Sequence, residues 1–143
     1  MADERFIGTW RLVSFETRTD DGTVSYPYGP DARGYILYGA DGFMAVVIQS
    51  GKRERFAHND YRSGTPEELA AAGERFISYS GPFEVVGDDM VLHHVEVSFF
   101  PNWIGTAQRR LFHFDGNRLT LSTRSMQVAG RVLTSHLLWE RVR

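Results

Sequence analysis

Two short runs near opposite ends of the chain constrain the fold most. Gly8-Thr9-Trp10 opens one extended segment, and Leu137-Leu138-Trp139-Glu140-Arg141 closes another. Between them, alternating apolar stretches are separated by tight-turn sequences: Asp20-Asp21-Gly22, Ala40-Asp41-Gly42, Gly87-Asp88-Asp89 and Asp115-Gly116-Asn117. A sheet built from consecutive hairpins leaves two unpaired edges unless its first and last strands meet. Closure removes those edges and encloses space for a small ligand. The strand spacing predicts an all-β fold, a sandwich or a barrel, and the paired ends are what a closed antiparallel barrel needs. Trp10 enters its floor and an arginine of the last strand lies across it.

At 143 residues the chain is expected to form a single domain, residues 1–143. Hydrophobic residues make up 42% and charged residues 24%, a globular balance. A net charge of −2 supplies no electrostatic footprint for nucleic acid or an anionic membrane. The absence of cysteine excludes disulfides, thiol catalysis and cysteine-ligated zinc. The start, Met-Ala-Asp-Glu-Arg, lacks the pattern of a signal peptide, and no apolar run approaches the roughly 20 residues of a membrane span. A cytoplasmic location is expected, and assembly as a homodimer is left open. Aromatic residues stand out at 13%, a content that suits strands and pocket walls alike.

Strands are expected from Trp10 to Thr17, with Trp10 and Leu12 on the face opposite Val13 and Phe15. Others are expected at 34–38, 43–49, from Tyr79 to Val86, at 90–99, 106–114, 118–123 and 131–141. One short helix is signalled near residues 65–76: Thr65 as N-cap, Pro66 in the first turn, and Glu68 completing a capping box. It is expected to cover one end of the barrel. Ser50 to Gly64 is long and polar, the pattern of a functional lid or a mobile segment.

Within a strand, residues two apart share a face. Gln108, Arg110, Phe112 and Phe114 form the face with two phenylalanines and are expected inside. A guanidinium there needs a carboxylate, carbonyls, water or an anionic ligand. In the neighbouring strand, apolarity favours Val91, His93, Val95, Val97 and Phe99 inside, whereas a polar cavity favours Met90, Leu92, His94, Glu96 and Ser98. A one-residue slip exchanges the two sets. Tyr35, Tyr38 and Tyr79 are candidates to present hydroxyls to the interior, and Trp103, beside Pro101, is placed at a mouth. His58, His93, His94, His113 and His136 lack short metal-ligand spacing, so neither a metal nor a cofactor is expected.

Taken together, Gly8-Thr9-Trp10-Arg11-Leu12, Tyr26-Pro27-Tyr28-Gly29, Gly34-Tyr35-Ile36-Leu37-Tyr38, His93-His94-Val95-Glu96-Val97-Ser98, Pro101-Asn102-Trp103-Ile104-Gly105-Thr106 and Arg118-Leu119-Thr120-Leu121-Ser122-Thr123 resemble the bacterial and fungal lipocalin-like domain proteins, part of the wider calycin group. The resemblance spans nearly the whole chain. It implies a closed antiparallel up-and-down β-barrel with an internal ligand cavity, in which His94, Glu96 and Ser98 face Gln108 and Arg110, and so tilts the expected register toward the polar set. The expected function is binding of a small, mainly apolar ligand bearing an acidic or carbonyl oxygen. The ligand-binding candidates are Tyr38, His93, His94, Glu96, Ser98, Trp103, Gln108, Arg110 and Phe112, with Trp103 and the Ser50–Gly64 loop as gate. The alternative is a cofactor-free cyclase or isomerase acting on a secondary-metabolite intermediate. There a histidine, His94 or His93, moves the proton, Glu96 orients it and Arg110 stabilises an enolate-like oxygen. A third reading pairs Arg110 with Glu96 inside a filled barrel.

Overall fold

The computed structural model describes residues 2–143; Met1, the first residue of the expected domain, lies outside them. The strands are β1 (Gly8–Thr19), β2 (Val24–Ser25), β3 (Arg33–Tyr38), β4 (Phe43–Gln49), β5 (Phe76–Val86), β6 (Met90–His94), β7 (Val97–Ser98), β8 (Ala107–Asp115), β9 (Arg118–Ser122), β10 (Met126–Val128) and β11 (Arg131–Arg141). The barrel runs β1-β3-β4-β5-β6-β8-β9-β11, and the additional β11–β1 pairing closes it into eight antiparallel strands. That closing pair holds from Trp10 opposite Arg141 to Thr19 opposite Leu133.

Alternation fills the interior as the pattern demands. Trp10, Leu12, Ile36, Tyr38, Met44, Val46, Ile48, Tyr79, Phe83, Val91, Val95, Phe112, Leu119, Leu121 and Trp139 form one buried cluster. Arg141 crosses the floor as expected, its guanidinium 4.2 Å from the Trp10 ring centroid. It also donates to the carbonyls of Ile7 at 2.7 Å and Arg5 at 2.8 Å. A Cβ at Gly8 would stand 2.7 Å from the Arg141 Nη1, so the glycine of the Gly-x-Trp element makes room for that cation.

Two β-bulges correct the expected faces. The β1–β11 register shifts between Leu12 and Ser14. This turns Phe15 onto the core side with Trp10 and Leu12 instead of the side shared with Val13, and Phe15 sits opposite Leu137. The second interrupts the partner of β5. Phe83 pairs with His93 and Ser80 with Val97, so three residues, 94–96, span two, 81–82. Face alternation inverts across it: His93 is buried, Val97 is 67% exposed, and Ser98 lies in register with buried Tyr79.

Helix α1 (Pro66–Glu74) forms with its capping box: the Thr65 hydroxyl accepts from the Glu68 N–H, and the Glu68 carboxylate from the Thr65 N–H. It does not cover a barrel end, because none of its residues is buried. Gly73 lies against Phe99, whose ring packs on Phe76 of the outer wall. The floor is closed instead by the N-terminal turn. Phe6 is fully buried, with its ring 4.9–5.0 Å from Tyr38, Phe112 and Phe114, and its carbonyl accepts from the Trp10 indole at 2.9 Å.

Candidate functional site

The barrel interior is apolar at the floor, and above it β3, β5, β6 and β8 set a group of polar side chains against apolar walls that include Leu12, Ile48 and Leu121. Among them sits His93, 1% exposed, on β6. Its Nε2 lies 2.7 Å from the Tyr38 hydroxyl and its Nδ1 2.8 Å from the Tyr79 hydroxyl. Both ring nitrogens are thus engaged, one from β3 and one from β5. Burial drives the His93 pKa down to about 3, with the positive charges of Arg110 and then His94 adding to the effect. The imidazole is neutral at physiological pH. Burial likewise raises both phenols, Tyr38 most, so they are neutral donors.

Beside this triad, β8 supplies Gln108 and Arg110. Register sets them opposite His93 and Val91, on the interior face with buried Phe112. Arg110 is half-buried. Its Nη1 donates to the Arg109 carbonyl at 2.8 Å and its Nη2 to the Gln108 Oε1 at 3.3 Å. The Gln108 amide nitrogen donates to Thr106 at 3.4 Å. Among the described residues no carboxylate lies in ion-pair reach of Arg110. Trp103, in a short 3-10 turn (Pro101–Trp103), packs edge-on against Tyr79 at 5.7 Å and stands half-buried at the mouth.

The structure therefore brings together Tyr38, His93, Gln108, Arg110 and Phe112, with Ser98 and Trp103 toward the rim. The apolar register forms along β6, not the polar one favoured by the resemblance, and past the bulge Ser98 instead of Val97 turns toward the interior. His94 points outward, and its Nε2 meets Glu84 of β5 at 2.8 Å, not Glu96. Glu96 is exposed, so the expected cluster of His94 and Glu96 with Arg110 is not assembled, nor is an Arg110–Glu96 pair. Tyr35 also faces out, at 42% exposure. The Ser50–Gly64 segment folds back along α1, where Arg53 donates to the carbonyls of Ala72 and Arg75 and its guanidinium stacks on Phe76. An open groove of about 780 Å³ runs between this segment, α1, Phe76 and Phe99, on the outer wall.

Three interior groups carried no sequence signal for a role. Phe6 precedes the first strand. Tyr28 follows a proline in a turn, yet packs on Phe15 with ring centroids 5.5 Å apart. The Trp139 indole N–H is buried with no hydrogen-bond partner among the described residues.

An eight-stranded closed barrel with a sealed aromatic floor and a polar group of side chains above it defines a calycin-type binding scaffold. The chain belongs to the lipocalin-like domain family, whose model matches residues 7–142. It is 41% identical over 109 residues to the 4'-hydroxy-3'-methoxypropiophenone carrier protein ppsC of Aspergillus oryzae, covering 69% of this chain and 96% of that protein. No solved structure matches it.

Proposed function

We propose that the barrel binds and carries a small, mainly aromatic molecule, holding one of its oxygens at Arg110. The observation that carries this reading is Arg110 itself: a half-buried guanidinium on the interior face, beside a neutral histidine, with no carboxylate partner among the described residues. Such a cation is stabilised by an oxygen brought from outside. Phe112, Tyr79 and Trp103 offer ring faces and edges for the body of the ligand. The related carrier protein is named for an aryl ketone, the same combination of ring and oxygen.

No observation favours the cyclase or isomerase. Its proton-transfer pair is split, with His94 on Glu84, and His93 is held neutral between two phenols. A cytoplasmic site of action accords with the cysteine-free sequence, and no described helix is long and apolar enough to cross a membrane. Quenching of tryptophan fluorescence by 4'-hydroxy-3'-methoxypropiophenone tests the reading. Wild-type protein should show saturable quenching, and Arg110→Ala should lose at least tenfold in affinity with an unchanged circular dichroism spectrum. Equal affinity in the two proteins would sink it.

A further inference from the structure

The interior hydrogen bonds can be counted proton by proton, and the count is unbalanced. A neutral imidazole has one N–H and one lone pair. His93 touches one hydroxyl at each nitrogen, so it donates to one tyrosine and accepts from the other. The tyrosine that receives the His93 proton keeps its own O–H, which needs an acceptor elsewhere. Tyr38 has none: it is 2% exposed, on the floor side, walled by the rings of Phe6 and Phe83, and its only side-chain partner among the described residues is His93. Tyr79 also has His93 as its only side-chain partner among the described residues, but it is 8% exposed and lies nearer the mouth, against Trp103 and in register with Ser98. Either tautomer leaves one phenol O–H unpaired, and the arrangement that leaves it at the less enclosed tyrosine has Tyr38 O–H donating to Nε2 and Nδ1–H donating to Tyr79. The Tyr79 O–H is then left over.

We infer that Tyr79 is a ligand-binding residue whose free hydroxyl hydrogen, together with the unused N–H groups of Arg110, selects a ligand oxygen that carries no hydrogen of its own, a carbonyl above all. This rests on the carrier reading and sharpens it. The neighbouring acceptors are already engaged: the Gln108 Oε1 and the Arg109 carbonyl hold Arg110, and the His93 lone pair holds Tyr38. The donors are in surplus. Two of the five guanidinium N–H groups are bonded, Tyr79 has its hydroxyl hydrogen, and deeper in the barrel the Trp139 indole N–H is also unpaired. A hydroxyl or ammonium group on the ligand would add another donor where donors are already in surplus. A carbonyl oxygen offers two lone pairs, one for Tyr79 and one for Arg110.

Two measurements test this separately from the carrier reading. Nitrogen-15 NMR of the ligand-free protein reads the His93 tautomer directly: the Nδ1–H form is expected, and the Nε2–H form would overturn the inference whatever the protein binds. The second is a cycle between Tyr79→Phe and removal of the ligand carbonyl, using 4'-hydroxy-3'-methoxypropiophenone and its propylphenol analogue. Deleting the carbonyl should cost the wild type about tenfold in affinity and Tyr79→Phe less than threefold, with Tyr38→Phe behaving like wild type in this comparison. Equal losses in wild type and Tyr79→Phe would remove Tyr79 from the site while leaving the Arg110 result intact. Failure of the wild type to bind either compound would count against the carrier reading, and the tautomer would then decide the role of Tyr79.

Discussion

His93 links the floor of the barrel to the polar group above it, and its chemistry is set by where it sits. With both nitrogens bonded to phenols and the ring excluded from water, protonation would break one hydrogen bond and leave a cation beside Arg110. A base whose pKa falls on folding contributes its stability in full above its unfolded value near 6.5, and that contribution is lost as pH falls toward the folded value of about 3. Urea unfolding should therefore show a stability loss across this window, of up to about 1.4 kcal/mol per pH unit for the one proton. The His93 ring resonances should stay those of neutral imidazole from pH 8 down to pH 5. A midpoint near 6 would contradict this account. Removing the ring tests the same point from the other side: His93→Phe leaves two buried hydroxyls without partners and should cost about 3 kcal/mol or more in chemical denaturation. The presence of Gln108 and Arg110 inside was legible in the sequence, because β8 alternates cleanly. His93 was not settled, because β6 is covered on both faces: Val91 and His93 inside at 0% and 1% exposure, Met90 and Leu92 outside at 8% each. Where both faces are covered, period-two patterning loses its meaning.

Among the elements, the interrupted partner of β5 does most to shape the site. The bulge over 94–96 takes Val97 out of the barrel and turns Ser98 back toward Tyr79. It depends on Gly81, where an added Cβ would collide with the His94 carbonyl oxygen and lie 3.1 Å from the Glu96 nitrogen. Gly81→Ala should therefore destabilise the protein by about 3 kcal/mol or more, seen as a lowered urea midpoint, since backbone cannot give way as a flexible side chain can. If the midpoint is unchanged, the strands do not approach so closely. Read from the sequence, one unbroken strand runs from Tyr79 to Val86 through Gly81-Pro82. The inverted alternation along its partner was not legible, because a bulge is a property of two strands and the sequence shows only one at a time. The same holds for Phe15, moved to the core by the β1 bulge. Helix α1 shows the opposite case. Its capping box was fully local and formed as read, while its expected place over a barrel end depended on packing and did not. The floor is closed by Phe6, a single aromatic in a short turn with no periodicity to reveal it.

Closure is the property of the whole molecule, and it was the most legible of all, because it was written at both ends of the chain. The β1–β11 pairing joins residues more than a hundred positions apart, so it gains nothing until the intervening hairpins are in place. Arg141 fastens the finished seam. One guanidinium covers the Trp10 ring and donates to the carbonyls of Ile7 and Arg5, tying the last strand to the N-terminal turn that carries Phe6. Charge-assisted hydrogen bonds and a ring contact of this kind suggest a loss of about 2–4 kcal/mol for Arg141→Ala. The loss should not be uniform. Once the clamp is gone, the turn at residues 3–7 is the first part free to leave, and its departure uncovers the Phe112 and Phe114 rings at the floor. Hydrogen exchange should therefore show the amide of Phe6, which donates to the Asp3 carbonyl, losing protection well before those of β4 and β5. Arg141→Lys should restore little, because a single ammonium cannot cover the ring and span both carbonyls with the guanidinium's planar geometry. Uniform loss of protection across the barrel would mean instead that the seam and the floor open as one cooperative unit with the walls.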